Sequence, residues 1–257
     1  MRIGAVILAG GYGTCRSVGG SPFPKVVERI GGAPMICRVA NLVSQDTFSS
    51  RVIVVNPIYD ELIREALEGA GLNNCSFVLQ PRRNGAGEAV RLALPHLIDE
   101  GIDDFLVVYA DMPLWRPETV TGLVQTHRTQ RPVLSMVTVQ RAWEYPMLNH
   151  YGRVLRNGTS EIIGIVEPAD ADRNQLEIQI VNPSLWMWNL DWFANHIEQV
   201  PFYPSKDGLG KERFLPPLVK IARREGCSIL EHRLADAQEA LGVNTLEDLE
   251  LVRTCFT

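Results

Sequence analysis

Long apolar runs are missing from this 257-residue chain. Its N-terminal MRIGAVILAGG has about six consecutive apolar residues before the glycines, too few for a secretory core or a membrane span. A cytoplasmic protein with no membrane partner is therefore expected. Paired cysteines are missing too. Those at 15, 37, 75, 227 and 255 form no CxxC and no His/Cys cluster, which excludes a disulfide framework and favours reduced thiols. There is no basic excess either. A net charge of -5 argues against nucleic acid or an anionic membrane, so any anionic ligand must be met by local cations. Internal repeats, low-complexity tracts and Pro/Ser-rich linkers are absent, which excludes solenoid and tethered-domain architectures.

With 46% apolar and 21% charged residues, the composition is that of a globular protein. Residues 3–8, 51–56 and 104–109 are apolar runs without polar alternation, the pattern of strands buried on both faces. Helical spacing over 35–42, 60–70 and 85–98 lies between them, which implies a parallel sheet with right-handed crossovers. A fourth strand is expected over 133–139. Beyond it the texture changes: 145–155 reads as loop, and 161–167 and 176–181 as partly solvated strands. A smaller insertion or sub-domain is expected there. Helices at 190–196 and 215–225, a strand at 228–233 and a helix at 245–254 close the chain.

The stretch ILAGGYGTCRSVGGSPFPK, residues 7–25, holds seven Gly or Pro among nineteen residues. It follows the first strand, at the carboxyl edge where open α/β sheets bind ligands. Glycines there let backbone N-H groups approach anionic oxygens, although a tight turn without a ligand gives the same composition. The loop has neither P-loop nor GxGxxG order. Cys15 has no neighbouring His or cysteine and is not expected to be a nucleophile. Lys25 follows Pro22-Phe23-Pro24, where fixed proline φ values restrict its direction. With Arg16 it supplies two cations suited to a polyphosphate, the alternative being a solvated surface lysine.

LAGGYGTCR followed by PK resembles the opening signature of the sugar-phosphate nucleotidyltransferases, and later segments continue that likeness in order. FVLQPRRNGAGEAV (77–90) is similar to the family's LQ…GTGxA, and LVVYADMPL (106–114) to its YGDxPL strand end. YGRVLRNG with IVEPADA (151–158, 165–171) resembles YGRI…IVExKDA. EIQIVNPSLWMW (177–188) resembles the EINTGI strand, and EALGVNTLEDL (239–249) the GVN segment. The nearest likeness is to the uridylyltransferase domain acting on N-acetylglucosamine 1-phosphate. Departures are the family's GTRM reading GTCR, a loop to Pro24-Lys25 about three residues longer, Gly85-Ala86-Gly87 for GTG, and Asn182-Pro183-Ser184 for NTG.

The resemblance implies an α/β, Rossmann-like, mostly parallel sheet with helices on both faces and a smaller acceptor-binding sub-domain. A single domain is expected over 1–257, with 1–140 roughly the nucleotide-binding part and 141–257 the acceptor part and closing helices. No hexapeptide-repeat acetyltransferase domain is expected. The implied partners are a nucleoside triphosphate, UTP or dTTP, and a phosphorylated small molecule such as a sugar 1-phosphate. A homo-oligomer is left open.

Arg16, Lys25 and Asp111 are the implied catalytic residues, and Asp111 with Asn244 the implied Mg²⁺ ligands. By itself Asp111 could equally be a turn or cap residue. Nucleotide contacts are implied for Leu8, Ala9, Gly10, Gly11, Gly13, Thr14, Gln80, Gly85 and Ala86. A Gln amide suits a uracil or thymine edge, although Gln80 could also be a strand-end side chain facing water. Acceptor contacts are implied for Tyr109, Gly152, Glu167 and Asn182. Trp186 and Trp188 have core spacing and are expected to pack. A cytidylyltransferase, a transferase for a non-sugar phosphate or phosphonate, and a non-catalytic nucleotide-sugar-binding subunit are the competing readings.

Overall fold

The computed structural model describes residues 1–11, 14–16, 22–205, 208 and 210–256, with backbone alone at 14–16 and 22. Its central sheet has ten strands: β1 (Ile3–Ala9), β2 (Phe48–Val55), β3 (Ser76–Leu79), β4 (Asp104–Tyr109), β5 (Leu134–Gln140), β6 (Gly152–Arg156), β7 (Ile162–Val166), β8 (Ile180–Asn182), β9 (Trp186–Asn189) and β10 (Ile229–Arg233). The helices are α1 (Met35–Leu42), α2 (Asp60–Gly69), α3 (Ala86–Asp99), α4 (Pro117–Gln130), α5 (Arg173–Leu176), α6 (Leu190–His196), α7 (Pro216–Arg224) and α8 (Leu246–Thr254).

β1 pairs in parallel with β2 on one side and β4 on the other, and β3 extends the parallel part beyond β2. All seven residues of β1 are buried, and the pleat divides them between two cores. Ile3, Ala5, Ile7 and Ala9 join a cluster with Ile36 and Val39 of α1, Ile63 and Leu67 of α2, and Leu123 of α4. Val6 and Leu8 join the opposite cluster with Val90 and Leu97 of α3, Phe193 of α6 and Leu218 of α7. Helices therefore cover both faces, which is why the strands read as unbroken apolar runs. Each fully buried Val, Leu or Ile contributes roughly 1.5–3 kcal/mol of transfer free energy.

The antiparallel part begins at a fork. β5 carries β10 in parallel on one edge. Along its other edge lie β9, beside Leu134 to Met136, and β8, beside Val139 and Gln140. β9 pairs onward with β4, whereas β8 pairs onward with β6 and then β7. The chain changes partners between Asn182 and Leu185. There Ser184 has φ +64°, and the Asn182 amide donates to Val137 O at 2.8 Å. Trp186 and Trp188 are fully buried on β9 and stack at 5.7 Å, as their spacing predicts.

Two expectations are corrected. The stretch 145–155 is not a loop: it holds a 3-10 turn at Pro146–His150 and then β6. The reason is tertiary, because Arg153 and Gly152 find their ladder partners in β7 and β8. Residues 176–181 are not one strand. Asp172 and Gln175 form a capping box that winds Arg173–Leu176 into a helical turn, and extended pairing begins only at Ile180. β3 and α4 were not anticipated. α4 reads PETVTGLVQTHRTQ, poor in strong helix formers, and is held by burial of Val120, Leu123 and Val124.

Candidate active site

The carboxyl ends of β1 and β4 open on one side of the sheet. Beyond β1, Gly10 and Gly11 turn away with their carbonyls held by the buried amide of Asn56, whose Nδ2 is 3.1 Å from Gly11 O and 3.4 Å from Gly10 O. Asn56 Oδ1 meanwhile accepts from the N-H groups of Ile58 and Tyr59, both at 3.0 Å. Asn56 is fully buried, and a single asparagine ending a strand carries no sequence signal of this role.

A cavity of ≈ 410 Å³ lies over these ends, lined by Leu8, Ala9, Gly10, Gly11, Pro24, Lys25, Val26, Gln80, Arg83, Gly85, Ala86, Ala89, Tyr109, Asp111, Glu212 and Asn244. At one end three distant segments converge. Lys25 Nζ is 2.6 Å from Asp111 Oδ2, 2.7 Å from Val243 O and 3.2 Å from Asn244 Oδ1. Val243 N donates to Asp111 O at 2.9 Å, which ties the two segments together. Asn244 precedes α8, and Asp248 of that helix accepts from the N-H groups of Asn244 and Thr245, both at 2.9 Å. Helix capping thus places Asn244.

The other end is built around Gln80, buried rather than facing water. Its Nε2 donates to Asn84 Oδ1 at 2.7 Å and to Gly85 O at 3.0 Å. Because Gly85 O can only accept, the Gln80 amide must point its NH₂ there, leaving Oε1 toward Gly10. A Cβ on Gly10 would meet that oxygen at 2.6 Å, so any larger residue would push the Gln80 amide off its bonds to Asn84 and Gly85. Gly85 has φ +90°, and a Cβ there would lie 2.5 Å from Arg213 O.

The segment carrying Glu212 and Arg213 packs on this wall. Arg213 N donates to Asn84 O and Gly87 N to Arg213 O, both at 2.8 Å. The Arg213 guanidinium reaches Glu88 Oε2 at 3.0 Å and lies over the Phe202 ring at 4.4 Å. Arg83 and Glu212 were not foreseen as cavity residues; both lie outside the matched segments' most recognisable positions.

The structure therefore brings Leu8, Ala9, Gly10, Gly11, Lys25, Gln80, Gly85, Ala86, Tyr109, Asp111 and Asn244 to one cavity. Gly13 lies outside the described residues, and Thr14 and Arg16 are described only as backbone, in a short strand pairing with Pro22–Pro24. Gly152, Glu167 and Asn182 do not line the cavity but form a neighbouring group. Gly152 pairs with Asn182, and a Cβ on Gly152 would sit 3.1 Å from Glu167 Oε1. Asn182 is buried and its amide is engaged at both ends, with Oδ1 accepting from Ser184 N at 3.2 Å. Tyr109 joins the two groups. Burial pushes its phenol well above the usual range, and the carboxylates of Asp111 and Glu167 push it further, so its hydroxyl stays protonated.

The residues form a cavity of small-molecule size with a cation, a carboxylate and an amide oxygen at one end and an amide at the other. A family model described as the MobA-like NTP transferase domain matches residues 5–173. The chain belongs to the MobA-like NTP transferase family. It is 30% identical over 97% of its length to the bifunctional protein GlmU of Idiomarina loihiensis, and 32% identical over 93% of its length to that of Cupriavidus metallidurans. It spans about half the length of these relatives, 50% and 49% respectively.

Among solved structures, a CMP:2-keto-3-deoxy-manno-octonic acid synthetase complexed with CTP superposes with TM-score 0.69 at 17% identity, over 99% of this chain and 98% of that one. A Bacillus anthracis chain assigned as a glucose-1-phosphate thymidylyltransferase, in complex with a sucrose, gives TM-score 0.70 at 16% identity, over 99% and 95%. Both establish the nucleotidyltransferase fold. Among the described residues no helix is long and apolar enough to cross a membrane, and Cys37, Cys75, Cys227 and Cys255 are free thiols.

Proposed function

We propose that this member of the nucleotidyltransferase family joins a pyrimidine nucleoside triphosphate, UTP or dTTP, to a sugar 1-phosphate with release of pyrophosphate. The observation that carries the proposal is the meeting of Lys25, Asp111 and Asn244 at one end of a cavity floored by Gly10 and Gly11. An anionic phosphate oxygen of the acceptor forms the new bond to the α-phosphorus, and the α–β bridging bond breaks with its electrons leaving on pyrophosphate. The nucleophile is already ionised, so no general base is needed. The protein's task is alignment and neutralisation of charge.

The glycine-turn backbone and Lys25 suit the triphosphate. Asp111 and Asn244 offer a carboxylate and an amide oxygen, the hard donors that Mg²⁺ takes, with phosphates and water completing its shell. The fit is favourable, since the oxygens of Asp111, Asn244 and Val243 already surround a cation, the Lys25 ammonium. A bound Mg²⁺ would supply charge neutralisation on the phosphates.

Gln80 supports the choice of base. With both its N-H groups spent on Asn84 and Gly85, it has an acceptor left to offer. Facing N3, an acceptor meets a donor on uracil and thymine but another acceptor on cytosine, whose only donor on that edge is its N4 amino group. The Gly152, Glu167 and Tyr109 group adjoining Asp111 suits acceptor hydroxyls.

The test is a matrix of UTP, dTTP and CTP against sugar 1-phosphates, reading pyrophosphate. Turnover is expected with UTP or dTTP and with at least one sugar 1-phosphate. Asp111→Ala should reduce it by about 10²–10³-fold, as loss of a group that stabilises transition-state charge does, while the protein remains folded by circular dichroism. Turnover with CTP alone would overturn the base assignment. Nucleotide binding without turnover in any pairing would establish the non-catalytic reading instead.

A further inference from the structure

A lysine ammonium has three N-H donors and no acceptor. All three of those on Lys25 are accounted for by protein oxygens: Asp111 Oδ2 at 2.6 Å, Val243 O at 2.7 Å and Asn244 Oδ1 at 3.2 Å. In this arrangement Lys25 has no N-H to give a phosphate. The two side-chain oxygens it occupies, on Asp111 and Asn244, are those a divalent cation would need. The side chains of Lys25 and Asp111 are only 14% and 21% exposed, so water does little to screen one cation from another at this spot. Two cations cannot share that seat.

The surroundings allow one of them to leave. Lys25 follows Pro24, which restrains the backbone, while its four-carbon stem can swing the charge without moving the main chain. The cavity that receives the phosphates borders the same ammonium, with Gly10, Gly11 and Pro24 in its lining. The main chain at Asp111 and at Asn244 is anchored independently of Lys25, by the Val243 N to Asp111 O bond and by the cap of α8. The backbone that carries the seat therefore stays in place when the lysine departs.

We propose that Lys25 is a resident counter-cation that exchanges with the divalent metal. In the ligand-free protein it closes the Asp111–Asn244 seat against free metal, and an incoming triphosphate draws the ammonium onto its own oxygens and opens the seat to the metal it carries. The inference rests on the transferase reading for the identity of the anion, but the competition itself does not depend on turnover. It makes metal entry conditional on the nucleotide.

The test is a titration with Mn²⁺ alone, free ion followed by electron paramagnetic resonance, on the full chain without nucleotide or acceptor. Wild type should bind Mn²⁺ weakly, and Lys25→Met should bind it at least tenfold more tightly. Lys25→Met combined with Asp111→Asn should lose that gain. Lys25→Gln, which keeps a polar head without charge, should also tighten binding and serves if the Met variant fails to fold. In the wild type, adding UTP, dTTP or CTP without acceptor should raise Mn²⁺ affinity by at least tenfold for whichever triphosphate binds. Equal Mn²⁺ affinity in wild type and the folded Lys25 variants, or weaker binding in the variants, overturns the exchange whether or not pyrophosphate is released. Tighter Mn²⁺ binding in the variants with no turnover in any substrate pairing keeps the exchange and removes the transferase reading.

Discussion

Arg213→Met probes how the Gln80 end of the cavity is held. Arg213 and Glu88 form a pair whose side chains are only 11% and 8% exposed, 3.0 Å apart, and Glu88 sits in the first turn of α3. Methionine keeps much of the buried stem but leaves Glu88 Oε2 without its partner. Breaking a buried pair on one side costs about 3–5 kcal/mol. The low end applies here, because Arg91 still donates to Glu88 Oε1 at 2.7 and 2.9 Å. Loss of the guanidinium from the Phe202 face adds about 0.5–1 kcal/mol, which methionine packing largely offsets. An unfolding entropy of about 2.1 cal/mol/K per residue over 257 residues converts about 3 kcal/mol into a fall in Tm of about 5–6 °C.

Differential scanning calorimetry reads that shift directly. Arg213→Met/Glu88→Leu should recover most of the loss, since the buried charge is then gone. Nucleotide affinity, measured well below Tm, should fall several-fold in the single variant as the Asn84 to Gly87 wall loosens. A Tm change under 2 °C for Arg213→Met, or a double variant less stable than the single, would refute the reasoning.

Ser184→Gly should be more stable than Ser184→Ala, both variants lacking the hydroxyl that bonds the Tyr109 phenol. A serine at φ +64° carries about 1–2 kcal/mol of left-handed strain, and glycine gives back about 0.5–1 kcal/mol of that as chain entropy. The Gly variant should melt about 1 °C above the Ala variant, the strain net of chain entropy; equal melts for the two would show that the fork is unstrained. Glu225 accepts hydrogen bonds from Trp192 Nε1 at 2.9 Å and His196 Nε2 at 2.8 Å, and the Trp192 bond first, then His196, hold its carboxyl below its ordinary 4.5. A depressed folded pKa means the contact is complete above pH 4.5 and lost as pH falls through the folded value. With His196 replaced by Asn, so that no imidazole stacks on Trp192, the part of the fluorescence that Trp192→Phe removes should therefore stay constant from pH 7 down to 4.5 and change only below it, and a midpoint above 4.5 contradicts the assignment.

Much of the fold was legible because its signals are local. β1 and β4 declare themselves as apolar runs since both faces of each are buried, and α1 and α6 keep the bounds their spacing predicts. β6 was not legible because Gly152 and Arg153 become strand only by pairing with segments some ten to thirty residues further along. α4 was hidden by its Thr, Gly and Gln content, and its helicity is decided by the core it covers.

The site divides along the same line. Gly10 and Gly11, the proline-flanked Lys25 and the strand-ending Asp111 could be singled out one by one, because backbone freedom, a fixed φ and a carboxylate after an apolar strand are properties of short segments. Asn56 and Arg213 could not, since each acts on a partner far away in sequence, nor could Glu212, which reaches the cavity only through the fold. The sequence by itself determined which chemistry is on hand: a glycine turn, a lysine, an aspartate and an amide. Only the tertiary structure decided that Lys25, Asp111, Val243 and Asn244 meet within hydrogen-bonding distance. Contacts separated by 86 to 219 residues are specified by how the sheet and α8 pack, and no local pattern encodes them.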